Sequence, residues 1–199
     1  VSFPVLVFMM TVIANQRLAK SLWIGALIVV SMSQVHAANW VLAPTSNVGF
    51  HIDSARESMV IAKFNTVHAT LNFDENAPQQ ASTRFIMDVD SLSLNNPAMK
   101  STLLGKDLFY AAQFKTVSFK SDQFRVLGNN KYQIIGQLTI RGITRPVIFD
   151  STLKPVTNNQ KLMNMVSSTT INRADFGMKK APDGMGEKIN IKINVDWKV

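Results

Sequence analysis

Hydrophobic and polar residues alternate with a period of two along most of the chain from residue 38 onward. The clearest row is near the C-terminus, where apolar Ile189, Ile191, Ile193, Val195 and Trp197 alternate with polar residues. Such alternation predicts a β-strand that buries one face and exposes the other. Shorter rows of the same kind recur upstream, near residues 48–52, 67–73, 85–89 and 117–119.

Short segments rich in Gly, Asn, Asp and Pro separate these rows and predict tight turns. Gly128, Asn129 and Asn130 lie between two apolar rows, which predicts an antiparallel hairpin. Gly142 and Pro146 bound a second connection of this type, with Pro146 opening the next strand. The chain contains eight or nine predicted strands at the short spacing that is typical of a sandwich or a closed barrel.

One segment departs from the alternation and predicts a short helix around residues 97–109. Asn96 is suited to cap a helix that has Pro97 at its first position. Met99, Leu103 and Leu108 then follow at helical spacing. We expect this helix to close one end of a barrel, within a single all-β domain that spans residues 38–199.

The first 37 residues predict a secretory signal peptide. Arg17 and Lys20 precede an apolar run at residues 22–30, and Ala37 ends a small-residue cleavage pattern. The run is shorter than the roughly 20 residues that span a bilayer, so we expect no stable membrane span after cleavage. Met9 or Met10 is the expected natural start, with residues before it a misassigned extension. The expected location is the periplasm.

The composition excludes several kinds of functional site. The chain of 199 residues has no cysteine, which excludes disulfides, thiolate metal sites and a cysteine nucleophile. Its net charge is +8, but the basic residues are scattered rather than grouped with aromatic residues. Nucleic-acid binding is therefore not expected. No motif for a cofactor or a metal is present, and we expect neither.

Residues suited to catalysis are few. His51 and His68 are the histidines downstream of the predicted cleavage site, and both are expected on polar strand faces. Asp88 and Asp90 alternate on one predicted strand, as paired carboxylates in acid–base sites sometimes do. Carboxylates on a wet strand face more often serve solvation, so we expect no enzymatic activity.

The apolar face itself is the remaining candidate site. Methionine adapts to irregular apolar shapes, and an eight-stranded barrel is about the smallest that holds one small ligand. Each of these side chains could also belong to a filled core. The candidate cavity residues are Phe50, Phe64, Phe73, Phe85, Met87, Phe109, Phe119, Phe149 and Phe176.

Several segments form a specific set of motifs along the chain. The most distinctive is GQLTIRGITRPV at residues 136–147. A second is INRADFG at residues 171–177, in which Arg173 and Asp175 are expected to form a charge pair at a strand end. Further segments are SNVGF at 46–50, LNFD at 71–74, MDVDSL at 87–92, LGKDLF at 104–109 and FKTVSFKS at 114–121. Taken in order, these segments resemble the YceI-like family of polyisoprenoid-binding, lipocalin-like proteins, and GQLTIRGITRPV is similar to a hairpin motif of that family.

The resemblance implies a single antiparallel, eight-stranded, lipocalin-like barrel with an internal apolar tunnel. It also implies a periplasmic binding or carrier protein for a long-chain apolar ligand, such as a polyisoprenoid, an isoprenoid quinone or a fatty-acid-like lipid. Thr45 stands where the family usually has histidine, and residues 99–104 depart from its usual motif. The polar groups that would meet a ligand head group therefore differ here.

Two other functions stay open on the sequence. The chain could be an enzyme acting on a lipid or a quinone-related substrate, which would require a histidine beside a carboxylate or hydroxyl at the cavity mouth. It could also be an interaction module that binds another protein through the barrel rim. A homo-oligomer is compatible with either function and with a lipid carrier.

Overall fold

The computed structural model describes residues 38–54, 60–156 and 159–199. The predicted signal peptide, residues 1–37, lies outside the described residues. Eleven strands and one short α-helix, α1 (Lys100–Leu104), make up the regular structure of the described part. The strands are β1 (Ala38–Leu42), β2 (Asn47–Ser54), β3 (Val60–Phe64), β4 (Val67–Phe73), β5 (Ser82–Asp88), β6 (Leu92–Leu94), β7 (Thr116–Gly128), β8 (Lys131–Ile140), β9 (Ile143–Val156), β10 (Asn159–Asn172) and β11 (Met185–Lys198).

The strands form one antiparallel sheet that closes on itself. Eight of them pair in the order β1-β4-β5-β7-β8-β9-β10-β11, and β11 pairs back onto β1. The other three, β2, β3 and β6, extend this ring beyond the other half of β11. The prediction of an all-β, antiparallel eight-stranded barrel with one short helix is therefore confirmed.

The inward row of each strand supplies the core. On β11 the predicted apolar row faces inward, with Trp197 and Val195 fully buried and Ile191 only partly so. Phe85 on β5 and Phe119 on β7 are register partners, and both side chains are buried on the inner wall. Burying one such side chain stabilises the fold by about 1.5–3 kcal/mol. The alternation with a period of two thus gives the barrel a solvent-exposed outer face and an apolar inner face.

Both predicted hairpins form. Asn129 and Asn130 turn the chain between β7 and β8 with φ of 52° and 60°, a conformation that Asn tolerates better than most residues. Arg141 and Gly142 make the equivalent turn between β8 and β9. The placement of Pro146 is corrected: β9 already begins at Ile143, and Pro146 lies inside it. Its missing N–H is tolerated there because the pairing of β9 with β10 begins only at Asp150.

The helix forms as predicted but is shorter. The Asn96 side chain accepts a hydrogen bond from the Ala98 N–H at 3.2 Å and starts a 3₁₀ turn that leads into α1. The helix ends at Leu104, and Gly105 follows in an extended conformation. Residues 105–115 form turns rather than helix. A hydrogen bond from the Phe109 N–H to the Leu103 carbonyl directs this segment back towards the barrel.

The seam that closes the barrel is held by Asp196 on β11. Direct pairing between β1 and β11 covers only two residue pairs. The Asp196 carboxylate adds hydrogen bonds from the Thr45 hydroxyl at 2.9 Å and from the Asn164 amide at 2.8 Å. Its backbone N–H donates to Ser46 Oγ at 3.2 Å, and its carbonyl accepts from the Ala43 N–H at 2.7 Å. One residue therefore joins the β1–β2 bend to β11 and β10.

We predict that Asp196→Ala lowers the free energy of unfolding by about 1–2 kcal/mol, because hydrogen bonds from both sides of the seam lose their acceptor. Urea denaturation followed by circular dichroism measures this change. Asp183→Ala is the matched control, because Asp183 is exposed in the loop before β11. Equal midpoints for the two variants would contradict the assigned role of Asp196.

Candidate ligand-binding site

An apolar slot lies inside the barrel, towards the end where residues 105–115 fold over it. Sixteen residues line it, and none has a polar or charged side chain. They come from β2, β3, β5, β7, β8, β9, β10 and β11 and from the 105–115 segment. The inward-facing residues of the eight-stranded ring and of its extension by β2 and β3 therefore surround one common space.

The slot is narrow. It contains about 520 Å³ of space between atoms, including its open part, which is within the usual range for ligand pockets. Only a small part of that space is wide enough for a water molecule. An apolar chain would therefore enter only as side chains of the wall move aside.

The structure brings together seven of the nine predicted site residues. Phe73 and Phe176 do not line the slot: Phe73 ends β4 and faces the opposite end of the barrel, and Phe176 lies in the 3₁₀ turn after β10. The sequence does not distinguish the Val, Leu and Ile residues of the lining, because a row of such residues looks the same whether it lines a cavity or fills a core. The seven are Phe50, Phe64, Phe85, Met87, Phe109, Phe119 and Phe149.

Aromatic contacts organise the wall of the slot. Phe109, carried by the 105–115 segment, meets Phe50 at 5.6 Å between ring centroids, and Phe50 meets Phe64 at 6.0 Å. Phe119 and Phe149 cross edge to face at 5.0 Å. Edge-to-face pairs are favourable, so these contacts stabilise the wall of the slot.

Two arginines seal this end of the barrel. Arg141, in the β8–β9 turn, donates to the carbonyls of Gly177 at 2.9 Å and Asp107 at 3.2 Å. Arg173 is buried and donates to the carbonyls of Gly186 at 3.1 Å and Met178. The expected charge pair between Arg173 and Asp175 is not present among the described residues. Backbone carbonyls are the partners instead, because the turn after β10 folds back over the guanidinium.

The opposite end of the barrel opens into a wider space, which we call the mouth. It contains about 1250 Å³ between atoms, including the part open to solvent. Trp40 and Phe73 contribute apolar walls, and Asp74, Glu75 and Asn76 of the β4–β5 turn contribute a polar edge. Among the described residues that line the mouth, the charged ones are both acidic.

Tyr132 lies where the apolar and polar parts of the mouth meet. Its ring crosses that of Phe73 edge to face at 5.8 Å, and the residue is 7% exposed. Burial raises the pKa of its hydroxyl, and the negative charge of Glu75 raises it further. Tyr132 is not among the residues predicted for the site. Its position nevertheless identifies it, because it starts the inward row of β8 directly after a turn, where a side chain reaches the rim.

Trp197 lies between the slot and the mouth. Its ring meets that of Phe85, a slot residue, at 5.7 Å, and its register partner on β10 is Met163, which lines the mouth. The indole is fully buried, and its N–H has no hydrogen-bond partner among the described residues. A turn of this ring therefore breaks no hydrogen bond within that part of the chain.

The residues considered for catalysis lie elsewhere. His51 and His68 line neither the slot nor the mouth. Asp88 and Asp90 do not share a strand face, which corrects the prediction: β5 ends at Asp88, and Asp90 lies inside the following 3₁₀ turn, Val89–Ser91. The Asp88 carboxylate accepts the Asp90 N–H at 2.9 Å, and Asp90 forms an ion pair with Lys115 at 3.0 Å.

The described ranges contain neither a group of side chains suited to a metal ion nor a helix suited to cross a membrane. No three His, Asp or Glu side chains of residues 38–54, 60–156 and 159–199 are grouped closely enough to hold a metal ion. In the same ranges, no helix has the length and apolar character that crossing a membrane requires.

The fold and the site define a class: antiparallel β-barrel proteins with an apolar interior slot and a polar-edged mouth. Residues 40–197 match the YceI-like domain, and the chain belongs to the YceI-like family. A UPF0312 protein of Vibrio parahaemolyticus is 23% identical over 154 residues, which cover 76% of this chain and 80% of that protein. A UPF0312 protein of Yersinia pestis is 27% identical over 106 residues, or 53% of this chain and 55% of its own length.

Solved structures show the same fold at low sequence identity. BcnA of Burkholderia cenocepacia superposes with a TM-score of 0.69 at 23% identity, covering 76% of this chain and 95% of its own. A polyisoprenoid binding domain of Saccharophagus degradans, implicated in plant cell wall breakdown, superposes with a TM-score of 0.62 at 9% identity, covering 82% and 99%. The Campylobacter jejuni YceI protein gives 0.65 at 19% identity, covering 74% and 89%.

We predict that the pKa of Tyr132 lies above its ordinary value of 10.0. Subtracting the ultraviolet titration of Tyr132→Phe from that of the native protein isolates this hydroxyl, and Glu75→Gln should bring its pKa part of the way back. Because the unfolded chain releases this proton first, stability should fall as pH rises above about 10. A difference titration centred at or below the ordinary value would contradict the burial of the hydroxyl.

Proposed function

We propose that this protein binds or carries a long-chain apolar molecule, of polyisoprenoid, isoprenoid quinone or fatty-acid-like type, with its tail in the slot. One observation carries the proposal: the slot lining contains no polar side chain. The Saccharophagus degradans neighbour, named as polyisoprenoid binding, supports the same ligand class. No reacting group is required, since binding and release are the whole of this activity.

The driving force is apolar burial. Enclosing about 300 Å² of ligand surface at about 25 cal/mol per Å² contributes about 7 kcal/mol before ordering costs are subtracted. Part of that gain is lost because the tail displaces side chains that now pack on one another. Met87 suits this purpose, since an unbranched thioether changes shape at low cost.

A tail that reaches the slot from the mouth must pass Trp197. The indole meets the slot residue Phe85, Trp197 pairs on β10 with the mouth residue Met163, and rotation of the ring breaks no hydrogen bond within the described part of the chain. We therefore assign Trp197 as the movable partition between mouth and slot. In this assignment the tail lies past the indole and the polar end of the ligand stays in the mouth.

We also propose that residues 1–37 form a cleaved signal peptide, that residues 38–199 form the mature barrel and that the protein works in the periplasm. The apolar run at residues 22–30 after Arg17 and Lys20 supports this proposal. Purification from the periplasm of a bacterial host, followed by native mass spectrometry, tests location, cleavage and ligand together.

The expected result is a chain beginning at Ala38 that carries one lipid of long-chain apolar type, identified after organic extraction. A ligand-free mass alone would contradict the carrier function if added isoprenoids, quinones and fatty acids also failed to raise the melting temperature. A mass that still includes residues 1–37 would contradict cleavage of the signal peptide. The extracted lipid would then still show whether the protein binds an apolar ligand.

We predict that Ile193→Phe lowers affinity for the bound lipid at least about tenfold, because the larger ring fills the slot that Ile193 lines. Ile148→Phe is the matched control, since Ile148 is 48% exposed on the outer face of β9. Lipid affinity of the two variants is compared by titration after delipidation. Equal loss in both, or in neither, would contradict the slot as the binding site.

A second variant covers the case in which Ile193→Phe fails to fold. Trp197→Phe shortens the partition between mouth and slot, so we expect faster lipid uptake in stopped-flow mixing. Unchanged uptake rates would contradict the assignment of Trp197 as the partition.

A further inference from the structure

The mouth carries a feature that an apolar tail does not explain. Tyr132 is 7% exposed as a residue, it lines the mouth, and its hydroxyl has no hydrogen-bond partner among the described residues. Glu75 also lines the mouth, and its negative charge acts on that hydroxyl. Because the hydroxyl faces the mouth without a partner in the described part of the chain, it is available to a molecule bound there.

The charges of the mouth narrow the chemistry of that partner. Asp74 and Glu75 line it, and no lysine or arginine of the described residues does. The lysines next in sequence to residues of the mouth are Lys131, Lys154 and Lys161; all three are exposed, and none of them lines the mouth. An anionic head group would therefore meet two carboxylates and no compensating cation.

The hydrogen-bonding groups are also complementary to one kind of head. The Tyr132 hydroxyl is available as a donor, and the Glu75 carboxylate, as an anion, is an acceptor only. The Asp74 carboxylate is partly committed, since its Oδ1 accepts from the Asn76 backbone at 2.8 Å and from the Asn76 amide at 3.1 Å. An uncharged hydroxyl group is both an acceptor and a donor, so it is complementary to the Tyr132 hydroxyl and to the Glu75 carboxylate, which both line the mouth.

We propose that the mouth is a head-group site that selects an uncharged, hydroxyl-bearing lipid, such as a polyprenol, over lipids ending in carboxylate or phosphate. Tyr132 and Glu75 are its specificity-determining residues. The proposal rests on the proposed function, because the head reaches Tyr132 only when the tail occupies the slot. It narrows the ligand from any long apolar molecule to one class of head group.

The test compares three probes with the same tail: geranylgeraniol, geranylgeranoic acid and geranylgeranyl phosphate. Each is titrated into delipidated protein at neutral pH, and binding is followed by tryptophan fluorescence, since Trp40 lines the mouth. We expect the alcohol to bind at least about tenfold more tightly than either anion. Because the tails are identical, the difference reports the head group alone.

Two variants separate the roles of the residues. Tyr132→Phe should lower the affinity for the alcohol about fivefold, since it removes one hydrogen-bond donor and no charge. Glu75→Gln should raise the affinity for both anionic probes and so reduce the preference for the alcohol. Tyr110→Phe and Glu187→Gln are the matched controls, because neither residue lines the mouth or the slot.

The outcomes are distinguishable. Equal binding of the three probes, or tighter binding of the phosphate, overturns the head-group site and leaves the apolar slot standing. Failure of all three to bind overturns both. Alcohol preference that survives in Tyr132→Phe and Glu75→Gln together overturns the assignment of these two residues.

Discussion

Closure of the sheet is the constraint on which the rest of the molecule depends. An open sheet of this length would expose unpaired edges, whereas a closed ring leaves none between its eight members. Yet the closing pair, β1 with β11, is the shortest in the ring. Asp196 compensates by binding side chains and backbone on both sides of the seam. Only when this seam is closed do the inward rows surround a common space.

Eight strands make an interior that is barely larger than its own side chains. Most of the inward side chains are buried in one continuous core, and the slot is the part of the interior that they leave open. The side chains that stabilise the barrel are therefore the same ones that a ligand must displace. Stability and binding compete directly at these positions.

The two ends of the barrel have different chemistry. Arg141 and Arg173, each within a segment that resembles a family motif, hold one end shut by donating to backbone carbonyls. These hydrogen bonds give both motifs a structural role in the fold. The other end is wide and carries Tyr132 beside Glu75. In the proposed complex this asymmetry orients the ligand, with its tail towards the sealed end.

The sequence by itself determined the class of fold, the hairpins and the short helix, because period-two rows and turn residues act over a few positions. It also indicated seven side chains that line the slot, since aromatic residues on inward rows stand out. It did not separate Phe73 and Phe176 from them, and it did not indicate Tyr132 or Trp197. Those assignments depend on which level of the barrel each inward residue occupies. Only strand register and closure decide that level, because they join residues far apart in the chain.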